Sequence, residues 1–155
     1  KILKNLSDEY SVYMNVSFGY GDIDAVVIGP TGVFAVEAKY NNGFISQDSK
    51  GHIGVIEGIE PKKNYRRQAI GESVQLKKYL DKESGEKIWV FPVLVFPVAD
   101  VMKGIVLENE HDKYKVPVLG NEELVQYIYQ HEKEYNLRKI EMCKKVMDKF
   151  YGYNV

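Results

Sequence analysis

One cysteine, Cys143, is the entire thiol complement of this 155-residue chain. That excludes an internal disulfide framework and any zinc site of the CxxC kind, and it fits a reducing compartment, so the expected location is cytoplasmic. Long hydrophobic runs are also missing. The longest, Ile88 to Ala99, holds Pro92 and Pro97 and falls short of the roughly 20 residues a spanning helix needs, so no membrane partner is expected. Charge of one sign is not in excess either, since 21 Lys and Arg stand against 22 Asp and Glu for a formal net charge of −1. A nucleic-acid partner must therefore meet a local basic patch rather than a basic molecule. His52, His111 and His131 lack metal-site spacings and read as surface residues, and GxSxG, Walker A and GxGxxG elements are absent. The chain starts at Lys1 with no signal pattern, so it reads as a fragment or trimmed product with sequence expected upstream.

What is present is the balance of one globular domain, with 45% apolar and 28% charged residues. Tyr10–Val16 and Asp22–Ile28 alternate as strands do. Gly29-Pro30-Thr31-Gly32 has turn chemistry, and Val33–Tyr40 returns as a third strand. Asn41-Asn42-Gly43 breaks that hairpin, and Phe44–Gln47 with His52–Glu57 predicts a second one around Ser49-Lys50-Gly51. From Lys62 to Leu80 the period becomes helical, with Tyr65, Ala69, Ser73, Leu76 and Leu80 on one stripe and Asp81–Glu86 as exit loop. Ile88–Phe96 has the composition of a strand buried on both faces, although Pro92 argues against a central place because it removes a ladder donor. Ile105–Leu107 and Val116–Leu119 predict short strands. Asn121 is the expected cap of a helix to about Gln130, with Glu122 and Glu123 in its first turn. A last helix over about Glu134–Phe150 is expected to bury Leu137, Ile140, Met147 and Tyr151, with Cys143 in an apolar packing role. This order predicts an α/β fold, a mixed β-sheet flanked by helices.

The first hairpin carries the chemistry. A symmetric turn that pairs Gly29 with Gly32 sets Asp24 opposite Glu37 and Asp22 opposite Lys39, and alternation puts all four side chains on one face. Opposed carboxylates repel, and the flanking strands are too apolar for a solvated surface. A divalent cation with oxygen ligands, Mg²⁺ or Mn²⁺, offsets that repulsion, since Mg²⁺ typically takes one or two protein carboxylates and keeps other positions for water and phosphate. Lys39 then orients an attacking water or stabilises charge on a phosphorane. The alternative is a solvated sheet on which Lys39 only pairs with Asp22 or Glu37. Downstream, Lys62, Lys63, Arg66 and Arg67 gather at the start of the helix, where cations oppose the dipole and a phosphate partner is favoured. A plain solvated basic face is the other reading of that cluster.

The stretch Gly21-Asp22-Ile23-Asp24 through Glu37-Ala38-Lys39 resembles the core of the nuclease-related domain, NERD, a branch of the PD-(D/E)xK nuclease superfamily. Asp24 takes the place of the family's metal-binding aspartate and Glu37-Ala38-Lys39 that of its ExK element. Asn64-Tyr65-Arg66-Arg67-Gln68 resembles the family's Asn-Pro-x-x-Gln segment, with Tyr65 where proline is usual, and Glu123-Leu124-Val125 resembles its closing Glu-Leu-Val. The resemblance implies a restriction-endonuclease-like core over residues 1–131, followed by a C-terminal helical extension, 132–155. It implies metal held by Asp24, Glu37 and the Ala38 carbonyl, with Lys39 and Gln68 completing a catalytic set that hydrolyses phosphodiester bonds in nucleic acid, expectedly DNA. A nucleic-acid-binding or interaction module that keeps the fold without cutting is the second expectation, and a purely structural domain the third. The resemblance also implies a glutamate on an N-terminal helix. No Glu precedes Glu9 here, so one acidic ligand is expected to be missing.

Overall fold

The computed structural model describes residues 2–19, 21–47, 53–55, 65–131 and 135–154. A 3-10 turn, Ile2–Asn5, leads into strands β1 (Ser11–Ser17), β2 (Asp22–Gly29), β3 (Gly32–Ala38), β4 (Phe44–Gln47) and β5 (Ile53–Val55). Helix α1 (Tyr65–Ser84) follows, then β6 (Val90–Phe96), β7 (Asp100–Val101), β8 (Val106–Leu107), β9 (Val116–Gly120), α2 (Asn121–Gln130) and α3 (Leu137–Asn154). Six strands form one mixed sheet in the order β1-β2-β3-β6-β9-β8, and β5-β4-β7 form a smaller one. The β3–β6 and β6–β9 pairs are parallel, and the outer pairs of the large sheet are antiparallel.

The hairpin has the register its turn dictates, with Gly29 paired to Gly32 and Ala25 to Val36. Gly32 has φ of 139°, which L side chains rarely adopt, and a Cβ on Gly29 would lie 2.2 Å from the Tyr10 ring, so both positions require glycine. β2 and β3 are buried along almost their whole length, which makes them the centre of the core rather than its lid. On one sheet face Val26, Ile28, Val33 and Ala35 pack against Leu76 and Leu80 of α1 and Ile140, Cys143 and Met147 of α3. On the other, Val27, Phe34, Val36, Val93 and Val95 meet Leu124 and Ile128 of α2. The C-terminal helix thus shares the main core instead of trailing from it. Truncating Leu76 or Leu80, both fully buried, is expected to cost about 2–5 kcal/mol.

Several local expectations are revised. Pro92 lies in a central strand, tolerated because the β9 ladder reaches only Leu94–Phe96 and leaves Pro92 no partner on that side. α1 runs on through Asp81 to Ser84, where Asp81 accepts from Lys77 and from the Ile88 N–H. Asn121 is the first helical residue of α2, and its cap position is Gly120. The side-chain cap belongs to α3 instead, where Asn136 Oδ1 accepts from the Arg138 N–H at 2.9 Å and the Lys139 N–H at 3.3 Å. Leu137 is 68% exposed, because the buried stripe of α3 starts at Ile140. Cys143 is fully buried, and burial pushes its thiol up to about 12, as an inert packing residue requires. His131 is half-buried rather than on the surface, with Nδ1 at 3.2 Å from the Thr31 carbonyl. His52 and the tip of the second hairpin lie outside the described residues, although β4 and β5 pair antiparallel as expected.

Candidate active site

Alternation along β2 and β3 puts Asp24 and Glu37 on the face that α1 covers, just beyond the last apolar pair of that face. Glu37 is 5% exposed. Its Oε1 lies 3.3 Å from Lys39 Nζ and accepts from Gln68 Nε2 at 3.4 Å. Asp24 Oδ2 accepts from the Ala38 N–H at 2.8 Å, so the aspartate is tied to the ExK strand itself. Within a strand the C=O of a residue points the same way as its N–H, which directs the Ala38 carbonyl toward Asp24 as well. Lys39 is anchored by its N–H to the Val95 carbonyl at 2.9 Å, and its ammonium sits 5.4 Å from the centre of the Tyr65 ring. Tyr65 is buried against Phe96 with ring centres 6.0 Å apart, so the residue standing where proline is usual forms the floor under the lysine.

The sequence did not single out Glu72. It lies one helical turn after Gln68, and its carboxyl meets Glu37, with Gln68 and the Asp24 charge beside it. Burial pushes Glu72 up to about 9, reinforced by the hydrogen bond to Glu37 and by the charges of Glu37 and Asp24. Burial also raises Glu37, opposed by its bond to Glu72 and by Lys39 and supported by Asp24. The two carboxyls therefore share a proton that the pair holds more tightly than free carboxyls would. Beyond that shared proton, Glu37 Oε2 and Glu72 Oε2 are buried without a donor among the described residues. Such orphaned oxygens are rare in folded proteins and are free to accept from a ligand.

These donors fit a divalent cation. Hard cations take carboxylate and carbonyl oxygens, and Glu37 offers a buried oxygen with nothing else to bind. Among the described residues no three His, Cys, Asp or Glu side chains stand as a finished cage.

Other expected residues lie elsewhere. Asp22 is exposed at the mouth of the hairpin, paired in register with Ser17. Lys62 and Lys63 lie outside the described residues. Arg67 is exposed, and Arg66 is committed within the chain, where it binds Asp112 and donates to the Tyr114 carbonyl at 2.9 Å. Asn15, opposite Asp24 across β1, has φ of 53°, a left-handed conformation that asparagine tolerates better than most residues, and the ladder skips this pair.

The nuclease-related domain family matches residues 1–97. The chain belongs to that family. The match takes in Asp24, Glu37, Ala38, Lys39, Gln68 and Glu72, while Glu123-Leu124-Val125 lies beyond it. The mixed sheet flanked by helices is compatible with a nuclease-like fold. Comparison with curated proteins and with solved structures gives no match. No helix among the described residues is long and apolar enough to cross a membrane.

Proposed function

We propose that the chain hydrolyses phosphodiester bonds of nucleic acid, DNA in the first instance, with Mg²⁺ or Mn²⁺ as cofactor. The observation that carries this is the buried Glu37 carboxyl, held at Oε1 by Lys39 and Gln68 and left unpartnered at Oε2 beside Asp24. Asp24, Glu37 and the Ala38 carbonyl would hold the ion. A bound divalent ion supplies Lewis acidity toward a phosphate oxygen and a water of lowered pKa.

The chain's own residues do the rest. Gln68 fixes the orientation of Glu37 through Oε1 and leaves Oε2 for the ion. Lys39, with its side chain 21% exposed, keeps an ammonium at the boundary between the buried carboxyls and solvent, where it orients the attacking water or balances charge developing on the phosphorane. The Tyr65 ring holds that ammonium in place. Arg67, with Lys62 and Lys63, remains the proposed phosphate contact, and Arg66 joins them only by giving up Asp112.

Supercoiled plasmid and single-stranded oligonucleotide, each with Mg²⁺ or Mn²⁺, test the proposal. Cleavage by the wild type and loss of cleavage in Glu37→Gln and Lys39→Ala are expected. Binding that weakens with salt, without cutting in either metal, would favour the non-catalytic module instead.

A further inference from the structure

We propose that Glu72, carried by α1, is the third acidic residue of the cation site. The inference rests on the phosphodiesterase reading above. Helix geometry supplies the first argument. Gln68 Nε2 reaches Glu37 Oε1 at 3.4 Å, and the residue one turn further along α1 faces the same edge of the sheet. Contact supplies the second, because the Glu72 carboxyl meets both Glu37 and Gln68 and lies within electrostatic reach of Asp24. The third is the state of the oxygens. Among the described residues Glu72 Oε2 has no donor though it is buried, and neither has Oε2 of Glu37, a residue only 5% exposed. A helix glutamate with only a structural duty has a ready alternative in turning to water. Glu72 instead turns toward two other carboxyls.

Charge balance agrees. Glu37 pairs with the Lys39 ammonium and has Asp24 and Glu72 beside it, while Arg66 is spent on Asp112 and Tyr114. With the proton shared by Glu37 and Glu72 released, three carboxylates would stand near one ammonium, a deficit that one divalent ion fills. Among the described residues no three His, Cys, Asp or Glu side chains stand as a metal cage, so Glu72 would complete the site by turning from Glu37 toward the ion.

The test is Mn²⁺ binding to the full chain without substrate, by isothermal titration calorimetry and by the Mn²⁺ paramagnetic resonance signal. Glu72→Gln keeps the length of the side chain and its ability to donate to Glu37, so its metal-free fold is expected to survive, which a melt verifies. Affinity for Mn²⁺ is expected to fall about 10 to 100-fold in Glu72→Gln. Glu72→Asp, which retains the charge, should fall between that variant and wild type. Wild-type affinity in both Glu72 variants, alongside lost binding in Glu37→Gln, would overturn the inference and leave the functional reading standing. Mn²⁺ binding that is equal in wild type and Glu37→Gln would overturn both.

Discussion

The two ends of β3 treat their polar groups in opposite ways. At the Gly32 end, Thr31 Oγ1 donates to the Ile128 carbonyl at 2.6 Å and meets the Tyr10 hydroxyl at 3.0 Å. His131 Nδ1 lies 3.2 Å from the Thr31 carbonyl, and the Tyr135 hydroxyl accepts from the Trp89 N–H at 2.8 Å. Rings of Phe34, Phe91, Tyr127 and His131 close around these bonds. At the Glu37 end, by contrast, three carboxyls gather beside one another with one ammonium on Glu37, and two of their oxygens find no donor among the described residues. One end is saturated and holds the hairpin in register. The other holds its groups in an arrangement that costs stability, as the proposed cation site would. The hairpin turn anchored at the first end is what fixes Asp24 against the ExK strand at the second.

The largest expected effect breaks the acidic end alone. Glu37→Gln should lower phosphodiesterase turnover by about 10² to 10³-fold, the scale of removing one essential electrostatic group. Its metal-free melting temperature should hold or rise, because a buried and poorly compensated charge is removed. Steady-state cleavage and a thermal melt of the same preparation check both halves.

Next comes the saturated end. Thr31→Val keeps the shape but strips the bonds to Ile128 and Tyr10, and is expected to cost about 1–3 kcal/mol in a denaturant titration. Metal affinity should not change. If Thr31→Val altered Mn²⁺ affinity as much as stability, the separation of the two ends would be lost.

The pH dependence sharpens the contrast further. Glu72 at about 9 lies above its ordinary value of 4.5, so the folded chain holds that proton more tightly than the unfolded chain does. The associated stability is full below about pH 4.5 and is lost as pH rises toward 9. Metal-free melting temperatures should decline across that window, and Glu72→Gln should flatten the decline. The smallest effect belongs to the floor of the site. Tyr65→Leu removes a cation–π contact worth about 0.5–1 kcal/mol, so turnover should fall only a few-fold, and Tyr65→Phe should keep most of it.

Much of this was legible in the sequence for a physical reason. A four-residue turn with glycine at both ends sets the register of everything that follows it, so Asp24, Glu37 and Lys39 were placed by counting in twos. Glu72 was not, because periodicity gives the buried stripe of α1 but not which flank of that stripe crosses the end of β3. The basic turn was misleading for a similar reason, since the partner of Arg66 stands 46 residues away in sequence and no local pattern announces Asp112. Pro92 in a central strand was hidden because sequence does not show how far a neighbouring ladder extends. Leu137 looked buried because it matches the period of Ile140 and Met147, yet the helix meets the sheet only from Ile140 onward.

The account depends most on the Glu37 end being incomplete without a divalent ion. The direct measurement is the melting temperature of the metal-free chain at neutral pH, with and without Mg²⁺ or Mn²⁺, for wild type, Asp24→Asn and Glu37→Gln. A rise with metal in the wild type that vanishes in both variants is the predicted result. Equal rises in all three proteins would contradict it.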